Sequence, residues 1–336
     1  MNPRPRSQAD GTGGHISSAA WWLGLLLASV GHAGETPRAM TGPRETPRLG
    51  FSNSMFAGVN ENDAKASIKA LATTMLRDRG LPADPEPLLF NGTAAVATAV
   101  RAGTADAVGL TSEEYWVLAR EVRFDRFVMA VKNDDPTERY LLLLNRASGV
   151  SGLTGLRGKH LSVFLNPRMS LDRVWLEVLL AQAGLPMIAG HFGGAIDQAR
   201  LSKAVLDVFF RQADACLVTR RGFATLVELN PQVGTQLVVL ASSLPLVPAL
   251  FAFRAGFLPS LKERSVHEMG LVHTSTAGQQ ARLIFQVGQV SKRPAADLDS
   301  ALALLAGYTR RKPAAHAARI GAIQGQGHAK PGGAPS

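Results

Sequence analysis

The strongest constraint on this chain is a regular alternation of short apolar runs with helix-forming stretches. Leu49-Gly50-Phe51-Ser52 reads as a strand. Residues 62–79 follow as a helix, with Ile68, Leu71, Met75 and Leu76 spaced for one face and Gly80 at its end. Strands at 87–90 and 106–110 flank a helix through Val96 and Val100, and Thr111-Ser112-Glu113-Glu114 opens another. The rhythm returns with a strand at 159–165, a helix at 171–183, a short strand at 187–191, a helix over 194–211, a strand at 214–218 and a helix at 223–229. Such alternation predicts an α/β fold with mostly parallel sheets. The two blocks, 48–135 and 147–235, predict two lobes. The apolar runs 139–145 and 236–240 are candidates for the segments that cross between them. Residues 249–308 then supply a strand and helices that return to the first lobe.

Charge raises a different idea, which its distribution weakens. The formal net charge is +10 over 336 residues. Residues 309–336 hold five basic residues and no acid, while 34–308 carry only +4. That Ala-, Gly- and Pro-rich end predicts a disordered basic tail. No zinc-finger spacing, aromatic-rich RNA motif or basic heptad helix occurs, so no nucleic-acid partner is expected. The first 33 residues read as an export signal. Arg4 and Arg6 precede the apolar stretch Ala19 to Val30, and Gly31 and Ala33 suit cleavage. Twelve apolar residues fall short of the roughly 20 of a stable membrane anchor, although a retained anchor is the competing reading. Residues 34–47, with Glu-Thr-Pro-Arg twice, form a linker. The one cysteine, Cys216, reads as a small core residue on a strand. There is no P-loop, nucleophile elbow, metal-binding His pair or dinucleotide fingerprint. No catalytic residue, metal or cofactor is therefore expected.

In open α/β sheets, ligands bind outside the carboxyl ends of the strands, where helix starts expose N–H groups to an anion. Four such turns stand out: Ser52-Asn53-Ser54-Met55-Phe56, Thr111-Ser112 with Tyr115 one turn later, Asn166-Pro167-Arg168-Met169-Ser170, and Thr219-Arg220-Arg221. Hydroxyls and amides there can donate to oxyanions, and Arg168 or Arg220 can add a charged fork. Each has a plainer role. Ser52, Thr111, Ser112 and Ser170 also suit helix caps. The two arginines also suit solvent, and Tyr115 also suits the core. His191 reads as structural rather than as a ligand contact.

Several stretches together resemble a known family. Leu153-Thr154-Gly155-Leu156-Arg157-Gly158-Lys159 resembles the entry to the second lobe of periplasmic solute-binding proteins. Gly103-Thr104-Ala105-Asp106-Ala107 resembles their helix-to-strand turn. Residues 210–215 are similar, with Gln212 where glycine is usual. Leu244 to Arg254 resembles their return strand after a proline-bearing loop. The subgroup most resembled is the phosphate/phosphonate-type binding component of ABC transporters, over about residues 48–308. The resemblance implies a type II periplasmic binding protein-like clamshell, with two mostly parallel sheets joined by a two-segment hinge. Lobe 1 would hold 48–140 and 241–308, and lobe 2 would hold 141–240. It also implies a monomeric periplasmic protein that delivers a small anionic ligand to a membrane permease. The turn at 168–172 departs from the subgroup, keeping only Ser170 among its usual hydroxyls, so Arg168 is expected to substitute for them. A sensing module reporting to a receptor, or an enzyme using Asp172 near His191, are the alternatives.

Overall fold

The computed structural model describes residues 47–56, 86–274 and 289–311, with isolated positions at 62–73, 279 and 321. The expected export signal, nearly all of the linker, the helix end near Gly80 and the chain beyond 311 other than Gly321 lie outside the described residues.

Two sheets organise the fold. The first has six strands in the order β11-β4-β10-β3-β1-β2. These are β1 (Leu49–Ser52), β2 (Leu88–Phe90), β3 (Ala107–Thr111), β4 (Phe124–Val131), β10 (Ala249–Arg254) and β11 (Gln289–Arg293). The second has five, ordered β7-β6-β8-β5-β9. Its members are β5 (Tyr140–Asn145), β6 (His160–Phe164), β7 (Gly194–Gln198), β8 (Ala215–Thr219) and β9 (Leu237–Ser242). Helices α1 (Thr93–Arg101), α2 (Ser112–Leu118), α3 (Asp172–Gln182), α4 (Ile188–His191), α5 (Leu201–Phe209), α6 (Arg220–Leu229), α7 (Pro231–Gln236), α8 (Pro259–Gly270) and α9 (Asp299–Arg311) connect and flank them. Among the described residues no helix is long and apolar enough to cross a membrane.

The α/β class stands, but the sheets are mixed rather than mostly parallel. β1 pairs in parallel with β2 and β3, while β10 runs antiparallel to both β3 and β4, and β11 antiparallel to β4. In the second sheet β6 is parallel to β7 and β8, and β5 is antiparallel to β8 and β9. The parallel pairs come from strand–helix–strand units, which must cross over. Four of the five antiparallel pairs involve β5 or β10, the strands that enter a sheet from the other one, while β11–β4 forms within the first sheet.

This corrects the expected crossing segments. The runs 139–145 and 236–240 do not bridge the sheets; they are neighbouring strands within the second. All six residues of β5 are buried, because β8 and β9 close both its edges. A bare connector would leave those leucines in water. The chain crosses instead just outside these strands, at 132–139 and 243–248. There Glu138 and Leu246 exchange backbone hydrogen bonds, with Glu138 N donating at 2.7 Å and Leu246 N at 2.9 Å.

Two further local expectations change. Residues 188–191 form a helical turn, not a strand, and the expected helix over 194–211 divides into β7 and α5. Gly193 permits this close approach, since a Cβ there would lie 2.4 Å from the Gly158 carbonyl oxygen. The last helix runs to Arg311, into the expected tail. Nor does it return to the first lobe alone: Ala301, Leu305 and Tyr308 join the core of the second sheet, while Leu302 packs against that of the first. Cys216 is buried on β8, and burial raises its thiol pKa.

Candidate functional site

The four turns sit where the rule for open sheets places them, after β1, β3, β6 and β8. Two are single-turn 3-10 helices, Asn53–Phe56 after β1 and Pro167–Met169 after β6. These two turns approach one another from opposite sheets, and the second also lies against β8. Around them most of the expected donors are already engaged within the protein.

The carboxyl ends of β1 and β3 converge on Glu114, which is fully buried. Ser52 Oγ donates to its Oε1. Thr111 donates to Oε2 from both its backbone N, at 2.9 Å, and its Oγ, at 3.0 Å. Thr111 Oγ in turn accepts from Glu114 N at 3.2 Å, completing a capping box at the start of α2. Burial raises the Glu114 pKa, opposed by the hydrogen bonds from Ser52, foremost, and Thr111, and by the nearby Ser54 side chain.

Ser112 and Ser170 come from different sheets and meet at the second crossing segment. Ser112 donates from Oγ to Val247 O at 2.5 Å and from its backbone N to Pro248 O at 3.0 Å. Ser170 Oγ donates to the same Pro248 carbonyl at 2.7 Å. Asn166 caps its turn, its Oδ1 accepting from Arg168 N at 2.9 Å. Thr219 Oγ likewise accepts from Gly222 N at 3.1 Å. Tyr115 packs its half-buried ring edge-on to Phe127, 5.5 Å between centroids, and against Phe124. Arg220 is exposed, and its side chain makes no hydrogen bond among the described residues.

Arg168 and Asn53 differ from the rest. Arg168 Nε donates to Glu138 Oε2 at 3.2 Å, and Glu138 lies on the first crossing segment with only 3% of its side chain exposed. The Arg168 Nη2 atom is buried and has no partner. Asn53 Nδ2 donates to Asn91 Oδ1, while Asn53 Oδ1 is buried and also lacks a partner. An unfilled donor and an unfilled acceptor thus stand on the two turns that meet. Buried polar atoms of this kind call for a partner outside the chain, water or ligand. Tyr140 links this region to the second core. Its hydroxyl donates to Arg168 O at 3.0 Å, and its pKa is raised by burial and by the nearby Asp172 and Glu138.

Sequence reasoning missed Glu114 and Glu138, and in the turn 219–221 it gave the charged role to Arg220 rather than Arg221. The Thr111-x-x-Glu114 spacing, a capping-box signature, was the available signal for the first. Nothing local marks Glu138. Arg221, not its neighbour Arg220, turns inward: its Nη2 donates to Asp135 Oδ2 at 2.6 Å and its Nη1 is buried without a partner. His191 is structural, buried with its Nε2 2.9 Å from Leu153 O. Among the described residues no group of three His, Cys, Asp or Glu side chains could hold a metal ion.

Comparison with known proteins gives this arrangement a family. A profile for periplasmic phosphonate substrate-binding proteins of ABC transporters matches residues 54–269. No curated protein matches the chain by sequence. Among solved structures, XAC2383 from Xanthomonas citri bound to ATP is 15% identical, with a TM-score of 0.54, covering 79% of this chain and 97% of that one. A binding component of an ABC phosphonate transporter from Pseudomonas aeruginosa is 14% identical, with a TM-score of 0.53, covering 83% and 95%. PhnD1 from Prochlorococcus marinus in complex with methylphosphonate is 12% identical, with a TM-score of 0.52, covering 80% and 98%. At these identities the structural likeness establishes the two-lobed fold, and the profile establishes kinship. The chain belongs to the family of periplasmic phosphonate substrate-binding proteins of ABC transporters.

Proposed function

We propose that this protein is exported through its N-terminal signal and acts as a monomer in the periplasm. There it captures a small organic oxyanion of the phosphonate kind between the turns at 53–56 and 167–169, and hands it to an ABC transporter permease. The observation that carries the ligand site is the pair of unfilled buried atoms, Arg168 Nη2 and Asn53 Oδ1, on turns that meet from opposite sheets. Nε of Arg168 is anchored by Glu138, which aims the guanidinium and leaves its outer edge for an oxygen of the ligand. A ligand held from both sheets favours the closed arrangement, as in hinge-type binding proteins generally. Only +4 of the formal charge of +10 falls on 34–308, with no nucleic-acid-binding motif there, which supports a protein without a nucleic-acid partner.

Thermal unfolding of the purified protein tests the reading. At a hundredfold excess over Kd, a ligand that binds only the native state adds about 2.7 kcal/mol of stability. Methylphosphonate and related organic phosphonates and sulfonates are the probes. At least one should raise the melting temperature, and Arg168→Ala should abolish that rise. An Arg168→Ala protein that keeps the full shift removes Arg168 from the site.

A further inference from the structure

We infer that Arg221 is a specificity-determining residue, and that the ligand carries a carboxylate beside its phosphonate, with one guanidinium for each acidic end. The inference rests on the ligand lying against the turn at 167–169, as proposed above, and adds the substituent that the neighbouring turn receives.

Among the described residues three guanidinium nitrogens are buried without a partner. One belongs to Arg48, just ahead of β1 and so away from the carboxyl ends of the strands. The other two, Arg168 Nη2 and Arg221 Nη1, follow β6 and β8, which are adjacent parallel strands. The first crossing segment holds both arginines. Glu138 Oε2 accepts from Arg168 Nε at 3.2 Å, and Asp135 Oδ2 accepts from Arg221 Nη2 at 2.6 Å. The backbone of the same stretch ties down both turns: Tyr140 Oη donates to Arg168 O at 3.0 Å, and Arg139 O accepts from Arg220 N at 2.7 Å. Asp135 and Glu138 are separated by at most about 10 Å of extended chain, so both arginines lie within reach of one small ligand.

Each guanidinium is thus fixed through one nitrogen by a carboxylate and has another N–H left over. A buried donor of this kind takes an oxygen from outside the chain. The turns 52–56 and 111–112 of the first sheet offer no buried side-chain donor without a partner among the described residues. Ser52 and Thr111 are engaged by Glu114, Ser112 by the second crossing segment, and Asn53 has an unfilled acceptor. Acidic groups of the ligand are therefore received by the second sheet. Charge favours an acid at Arg221 in particular. The Arg139 guanidinium bonds a carbonyl, Ser243 O at 3.2 Å, and Arg220 is exposed. Three arginines gather near the end of β8, and Asp135 is the one carboxylate bonded to any of their guanidiniums among the described residues. Glu138 does not offset them, because Arg168 matches it. A carboxylate beside Arg221 gains a charged hydrogen bond, which a methyl group or an ammonium cannot make.

Calorimetry near neutral pH tests this with methylphosphonate, 3-phosphonopropionate and 2-aminoethylphosphonate, on the original protein and on Arg221→Gln. The original should bind 3-phosphonopropionate about tenfold or more tightly than methylphosphonate, as expected for one added hydrogen bond between charged groups. In Arg221→Gln that ratio should fall toward one. A folded variant that keeps the ratio overturns the inference. Should the variant not fold, the original protein decides: 3-phosphonopropionate must bind more tightly than both other probes. Equal binding of methylphosphonate, the result if water alone fills Arg221 Nη1, overturns this inference and leaves the proposed function standing. Tighter binding of the cationic 2-aminoethylphosphonate does the same. If no phosphonate binds the original, the ligand reading itself fails and takes this inference with it.

Discussion

Gly103 and Arg211 occupy the same backbone position in the two sheets with unlike side chains. Each lies just past a helix end and three residues before an aspartate, and each is left-handed, at φ +62° and +60°. The glycine-equivalent position in the second motif is thus Arg211, not Gln212 as the sequence suggested. Asp106 and Asp214 then do parallel work. Asp106, buried, accepts from Arg48 N at 3.0 Å and from Arg254 Nη2 at 2.9 Å, and Asp214 accepts from His160 N at 2.8 Å. Each ties the start of one strand to its neighbour. A non-glycine residue pays about 1–2 kcal/mol for this conformation, offset in part by the extra freedom glycine has when unfolded. Arg211→Gly should therefore stabilise the protein by about 0.5–1 kcal/mol, read from the urea midpoint at unchanged m-value. A glycine inside a strand has a different cause: Gly109 on β3 lies beneath Phe51 and Phe251, whose rings meet edge-to-face at 5.2 Å, and a Cβ would come within 3.1 Å of the Phe51 ring.

Among whole elements, the strands outside the strand–helix rhythm were the least visible. β4 and β11 extend the first sheet beyond β10, yet neither belongs to a strand–helix repeat, so periodicity did not separate them from their surroundings. β11 reads Gln-Val-Ser-Lys-Arg, too polar to signal a strand; it is an edge strand, where one ladder face meets solvent. Helix α9 shows how an element near the end of the fold serves both halves. It packs against α3 behind the second sheet and against α2 behind the first. Leu305, with no exposed surface, sits in the second core. Truncating a buried leucine costs the transfer free energy plus that of the cavity left behind, so Leu305→Ala should lower stability by about 3 kcal/mol. Chemical denaturation measures this loss, and a change under about 1 kcal/mol would show that the helix is not held by this contact.

At the scale of the molecule, a buried acid sets a pH signature. Glu114 has its folded pKa raised above the ordinary glutamate value of 4.5, chiefly by burial. The folded state therefore binds this proton more tightly than the unfolded chain does. Its contribution to stability is fully present below 4.5 and is lost as pH rises through the raised folded value. Melting temperatures from pH 5 to 8 should accordingly fall less steeply in Glu114→Gln than in the original protein, and identical slopes would place the titration elsewhere. How far the sequence reaches is clear from particular residues. Alternating strands and helices, the turns after β1, β3, β6 and β8, and the buried character of Cys216 follow from local patterns, because burial periodicity and turn chemistry act over a few residues. Where Ser52 directs its hydroxyl does not, since Glu114 lies 62 residues away and meets it only when β1 and β3 pair. Nor does the crossing between sheets: the run Tyr140 to Asn145 looks alike as connector or buried strand until β8 and β9 close on it. By itself the sequence determined most of the alternating strands and helices and the turns that follow β1, β3, β6 and β8. Only the tertiary structure decided which of those donors remain open, because hydrogen-bond partners are chosen by neighbours in space and a buried polar group takes the nearest one available.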